Sequence, residues 1–119
     1  MNIEAFVYYC NAKPGVTQSF PFGGDALVFK VMSKMFALTG IDTIPPTANL
    51  KCDPEYAIEL REEYEDVLPG YHMSKKHWNT LLLSGDLKTS LIKELIDHSY
   101  DLVVAGLTKK QREELINSD

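Results

Sequence analysis

Twelve consecutive residues, Pro69-Gly70-Tyr71-His72-Met73-Ser74-Lys75-Lys76-His77-Trp78-Asn79-Thr80, concentrate the side chains that could do chemistry. They hold two of the three histidines, the single tryptophan and a lysine pair, opened by a Pro-Gly turn signal and followed by Leu81-Leu82-Leu83. Polar residues at the mouth of an apolar strand are where a scaffold displays side chains to a partner. His72 and His77 are separated by an odd offset, so on a continuous strand they face opposite ways and cannot chelate one ion; no metal is expected. Nucleophilic catalysis needs a Ser or Cys backed by a histidine and an acid, and the proximity of such a trio is not readable from the sequence. Gly23-Gly24 lacks the spacing of a phosphate or dinucleotide loop. The expectation is a protein that is not an enzyme and carries no cofactor. Trp78 is bulky enough to anchor a hairpin or the core, and if exposed it is suited to stacking.

The chain that must position these residues has 119 residues, 45% of them hydrophobic, which fits a single domain over 1–119. Its N-terminus lacks the basic and apolar regions of a signal peptide, and no apolar run approaches the ~18 residues of a membrane span, so a cytoplasmic protein with no membrane partner is expected. Cys10 and Cys52 stand alone and read as reduced, apolar side chains rather than a disulfide or zinc pair. The net charge of -5 argues against nucleic acid, yet its distribution is uneven. Between Asp53 and Asp66 seven carboxylates face only Arg61, and the remainder of the chain is close to neutral. Charge runs on helices are usually solvated, so these acids are expected on an outer helix face rather than around a metal.

Ile3, Phe6, Val7 and Cys10 form the stripe of a short helix that Pro14-Gly15 stops. Strands are expected over Val16 to Phe22, over Leu27 to Val31 with Lys30 opposite Phe29, and over Met35 to Leu38, with Met32-Ser33-Lys34 as a hairpin tip. Ala48 to Cys52 reads as a short strand or an extended lead-in. Asp53-Pro54-Glu55 is a helix start, with Asp as N-cap and Pro at the first position. Tyr71 to Met73 and Trp78 to Leu83 read as two strands flanking Ser74-Lys75-Lys76. A long helix carries Leu91, Leu95, Ile96, Leu102 and Val103 and closes at Gly106 as C′, and Thr108 with Gln111 forms a capping box for a short C-terminal helix. The order α-β(3)-α-β(2)-α plus the terminal helix points to an α+β domain with helices packed against an antiparallel sheet.

Cys10-Asn11-Ala12-Lys13-Pro14-Gly15, Lys34-Met35-Phe36-Ala37-Leu38, Asn49-Leu50-Lys51-Cys52-Asp53-Pro54-Glu55, the Pro69-to-Thr80 stretch and Ser99-Tyr100 together resemble the MmcQ/YjbR family across nearly the whole chain. The resemblance implies a small cytoplasmic bacterial protein with a fold similar to secretion chaperones. It also implies a DNA-binding label attached to a double-wing arrangement of two hairpins. On that implication Lys30 and Lys34 serve the first wing and Lys75, Lys76, His77 and Asn79 the second, lysines meeting phosphates and Asn79 meeting bases or sugar, with Trp78 and Tyr71 available for stacking. So few cations imply weak, phosphate-dominated binding to duplex DNA. The alternative expectation is a protein- or peptide-binding module that uses an exposed sheet face or edge and needs no nucleic acid.

Overall fold

In the computed structural model, which describes residues 1–70 and 73–117, helix α1 (Ile3–Asn11) begins where the Asn2 side chain accepts the Ala5 N–H at 2.7 Å. It buries Phe6 and Cys10, two of the four residues of its expected stripe, and half-buries Ile3 and Val7. Gly15 follows at φ +71, a left-handed turn that a Cβ would obstruct by meeting the Leu115 side chain. Strands β1 (Val16–Ser19), β2 (Ala26–Val31), β3 (Lys34–Gly40) and β4 (Thr47–Lys51) then lead into α2 (Pro54–Glu63). After it come β5 (Val67–Pro69), β6 (Trp78–Leu82), α3 (Thr89–Ala105) and α4 (Lys109–Asn117).

The six strands form one antiparallel sheet in the order β1-β2-β3-β4-β6-β5. The α+β class expected from the sequence is the one observed. The segment left open between strand and lead-in is β4, which sits in the middle of the sheet, so four strands precede α2 rather than three. β1 ends at Ser19, short of the expected Phe22, because the chain turns there, the Gly23 N–H reaching the Phe20 carbonyl at 3.2 Å. The edge strand that pairs with β6 is Val67–Pro69, in the register Val67↔Leu81 and Pro69↔Asn79, while the strand expected over Tyr71 to Met73 falls largely outside the described residues. Proline is tolerated there because β5 is the sheet edge, where a missing N–H leaves no partner unsatisfied. Tyr71 and His72 lie outside the described residues; Met73 is in a bend.

All the helices lie on one face, where Phe6 of α1, Phe29 and Phe36 of the sheet and Tyr100 of α3 form a chain of tilted and edge-to-face rings with centroids 5.4 to 6.4 Å apart. The Asp53 carboxylate caps α2 by accepting the Tyr56 N–H at 3.2 Å, with Pro54 at the first position as expected. The Thr108/Gln111 capping box is reciprocal, at 3.1 and 3.0 Å. Gly106 ends α3 in a right-handed conformation at φ −84, so it is the C-cap itself and the left-handed C′ expected of it is absent.

β3 carries a bulge. Phe29 pairs with Ala37 but Lys30 pairs with Met35, so Phe36 is an extra residue, and Phe36 and Ala37 both face the helices. A bulge frees backbone groups, and here the buried Ser99 hydroxyl of α3 donates to the Phe36 carbonyl at 2.5 Å while accepting the Lys51 N–H of β4 at 2.9 Å. One residue on, the Tyr100 hydroxyl donates to the Pro14 carbonyl at 2.6 Å. Ser99→Ala removes a partner from two backbone groups at once, so a loss of about 3 kcal/mol is expected in urea unfolding; an unchanged midpoint would show that water replaces the hydroxyl. The β2–β3 turn is Met32-Ser33, with φ 49 and 67, the positive pair that a two-residue hairpin turn of the primed type demands. Ser33→Gly relieves that strain and should stabilise the protein by about 1 kcal/mol in the same measurement.

Candidate binding groove on the open sheet face

Strand alternation decides what the other face presents. With Leu27, Phe29, Ala37, Ala48, Leu50 and Leu81 directed at the helices, Val28, Lys30, Met35, Leu38, Thr47, Asn49, Lys51, Trp78 and Thr80 project from the opposite, helix-free face. Cross-strand register sets them in rows: Val28, Leu38, Asn49 and Thr80 in one, Lys30 and Met35 with Lys51 and Trp78 in the next. Val28 and Trp78 are buried although neither belongs to the helix-side core. The Thr80 hydroxyl donates to Asn49 Oδ1 at 2.5 Å, fixing the polar centre of this surface.

A groove of about 660 Å³ runs over it, within the size range of ligand sites. Met35, Leu38, Ala26 and Trp78 supply apolar walls, Phe22 and Met73 come from the flanking loops, and Thr43, Thr47, Asn49 and Ser74 supply polar atoms. Among the described residues lining it, Asp25 is the one that carries a charge. Its carboxylate makes long contacts of 3.4 Å to the Asp42 N–H and the Thr43 hydroxyl. Phe22 is 71% exposed, and Phe20, Ile41 and Ile44 are exposed in the neighbouring loops, so apolar surface continues beyond the rim.

The sequence-derived site residues divide around this groove. Lys30 is half-buried on the open face, and Lys34 begins β3 at the hairpin tip. Lys75, Lys76 and His77 are exposed in the turn before β6, and that turn is tied to the end of β4 because the His77 carbonyl accepts the Cys52 N–H at 2.8 Å. Both lysine-bearing turns are therefore at the same end of the sheet, with Lys51 between them. Asn79 does not join them. It faces the helices at 1% exposure, its amide 3.4 Å from the Ala57 carbonyl, too deep to meet a base or sugar from outside. Trp78 is 9% exposed and forms groove wall, held where Gly70 passes so close that a Cβ there would lie 2.7 Å from the Trp78 Cβ. Tyr71 falls outside the described residues. Met35, Leu38, Lys51 and Phe22 were not read as site residues; the signal available was that β2 and β3 are apolar on both faces, a pattern expected of a covered sheet.

Among the described residues no group of three metal-ligating side chains comes together, and no helix is long and apolar enough to cross a membrane. Burial pushes the Cys10 thiol up to about 12, and burial together with the Asp53 carboxylate pushes Cys52 up to about 11. Lys13 pairs with Asp97, whose carboxylate also accepts the Tyr9 hydroxyl at 2.9 Å, so this motif joins α1 to α3.

An antiparallel sheet covered by helices on one side and grooved on the other defines an open-faced α+β domain. The chain belongs to the YjbR family: the family model YjbR matches residues 11–102. It is 38% identical to the protein YjbR of Escherichia coli K12 over 116 residues, 98% of each chain. It is 38% identical to YyaQ of Bacillus subtilis over 76 residues, 64% of this chain and 63% of that one. The crystal structure of Deinococcus radiodurans protein DR2400 superposes with a TM-score of 0.89 at 42% identity, covering 96% of this chain and 87% of the other. A Pseudomonas syringae crystal structure matches with a TM-score of 0.75 at 32% identity, covering 86% and 98%.

Two outcomes are expected of these side chains. Trp78→Ala should cost about 3 kcal/mol in a denaturant titration, since the indole is enclosed; a change under 0.5 kcal/mol would mean a solvent-facing ring. Because the thiolate is the reactive form, neither cysteine should react with Ellman's reagent in the native protein at pH 8, and both should react after unfolding.

Proposed function

We propose that this chain is a binding protein that receives an extended, apolar segment of another protein along the open face of its sheet. The observation that carries the reading is the groove itself: apolar walls from Met35, Leu38, Trp78, Phe22 and Met73, a few polar atoms, and Asp25 as the one charged residue among its described lining. Apolar walls with sparse polar groups suit alternate side chains of a strand-like peptide, the polar atoms fixing its orientation. Among the described lining residues a phosphate would find no cation.

A displayed library of random decapeptides, selected against the native protein, tests this. Enriched peptides should be rich in apolar residues, and binding should be readable as a change in the emission of Trp78, the single tryptophan. Phe22→Ser should weaken each selected peptide by about tenfold with an unchanged melting temperature, because an exposed aromatic at the rim serves binding and not folding. Selected peptides that bind Phe22→Ser and Leu38→Arg as well as the native protein would remove the groove from the function.

Duplex DNA is a second reading, favoured by one observation, the gathering of Lys30, Lys34, Lys51, Lys75 and Lys76 at one end of the sheet. Under it, Lys75→Ala with Lys76→Ala lowers the slope of log affinity against log salt by roughly 0.9 for each phosphate no longer neutralised, with hardly any change in melting. Fluorescence anisotropy on a labelled duplex measures both the affinity and the slope, and no binding by the native protein at the lowest salt ends that reading.

A further inference from the structure

We infer that the apolar segment received by the groove carries a directional charge, with acidic residues at the end that meets the lysine-bearing turns and none at the end that meets Asp25. The inference rests on the peptide-binding reading above and adds the chemical class of the partner.

The sheet is electrically asymmetric from end to end. At one end stand the last residue of β4, Lys51, and the turn before β6 with Lys75 and Lys76; Lys30 projects from the open face one row in, and Lys34, paired with the core residue Val31, stands at the same end on the helix side. The register fixes this placement: Val31 pairs with Lys34 across the first turn, Lys51 pairs with Trp78, and the His77 carbonyl holds the Cys52 N–H. Among the described residues none of these five lysines has a carboxylate within salt-bridge distance, whereas Lys13 does. At the other end, the β1–β2 and β3–β4 loops bring Asp25 and Asp42 together, the Asp42 N–H reaching the Asp25 carboxylate. Asp53 shares the basic end, two residues after Lys51, but its carboxylate is engaged in capping α2 at the Tyr56 N–H, and the exposed acids of α2 belong to a helix on the covered face.

Between the two ends lies the apolar groove. From Met35 to Gly40 along β3, at about 3.3 Å per residue, the span is roughly 17 Å, the length of about five extended residues. A segment of that length with an acidic end and a neutral or basic end satisfies both charged ends while its apolar side chains fill the middle. Reversed, it would set carboxylates against Asp25 and leave the lysines unpaired. Charge complementarity of this kind fixes direction and partner choice more than it adds affinity.

The decapeptide selection also tests the inference, with sequence composition as the readout. Expected are apolar cores carrying Asp or Glu at one terminus. One such peptide, resynthesised with Asn and Gln in place of its acids, should bind about tenfold more weakly by Trp78 fluorescence, and raising salt should narrow that difference. Lys51→Glu combined with Lys75→Glu and Lys76→Glu should lose acid-ended peptides and gain lysine-ended ones, which a mere loss of folding cannot produce. Apolar peptides without charge bias, binding the triple variant as well as the native protein, would overturn the inference and leave the groove reading intact. Failure to enrich any peptide over a groove-blocked Leu38→Arg control would overturn both. Mixed-sequence duplex DNA that displaces an acid-ended peptide and loses affinity in the triple variant would assign the lysines to phosphate instead.

Discussion

The hydroxyl of Ser99 decides the shape of this protein more than any other small group. The bulge leaves Phe36 outside the ladder, and without a substitute partner its buried carbonyl would remain unpaired. Ser99 supplies the partner from α3 and with the same oxygen accepts the Lys51 N–H from the next strand, so helix, bulge and central strand are registered by one atom. The bulge in turn places both Phe36 and Ala37 toward the helices and restores Met35 to the open face. Without that inserted residue, strand parity would send either Met35 or Leu38 to the wrong side.

The two faces then follow different rules. On the helix side, packing is close and its polar groups are nearly all spoken for; Tyr100 and Asp53 each satisfy backbone groups at a chain reversal or helix start. Asn79 Oδ1 is the exception among the described residues, a buried acceptor without a partner. On the open side, no helix among the described residues covers Met35, Leu38 and the loop aromatics, although their composition is that of a covered face. An antiparallel sheet that faced only water would alternate apolar with polar, whereas β2 runs Leu27-Val28-Phe29 apolar on both faces.

Much of the frame was legible because its signals are local. The Asp53-Pro54 start, the Thr108/Gln111 box and the α1 stripe each involve residues within one or two turns, and each stands where the sequence put it. β5 and the groove were not legible for the same physical reason. Pro69-Gly70 reads as a turn, yet its strand character comes from pairing with Asn79 and Trp78 across the second hairpin, a tertiary fact that overrides local propensity. Asn79 illustrates the other failure: beside Trp78 and the lysines it reads as exposed, but alternation on β6 turns it to the core while Trp78 turns to the groove. Ser99 and Tyr100, visible in the sequence only as part of a family pattern, are structural fasteners.

Net charge misleads in this chain because charge is sorted by face. The carboxylates of α2 sit on the outer surface of a helix whose diameter is about 10 Å, and the sheet lies beneath it. At physiological salt the Debye length is about 8 Å, so exposed acids on that side are largely screened from a partner approaching the opposite side. What such a partner meets is local: lysines at one end, Asp25 and Asp42 at the other, and an apolar channel between. An overall value of -5 therefore neither forbids phosphate at the lysine end nor predicts it. At the groove walls, burying a Met, Leu, Phe or Trp surface against an apolar side chain would gain about 25 cal/mol per Å², a gain that a phosphate cannot make there.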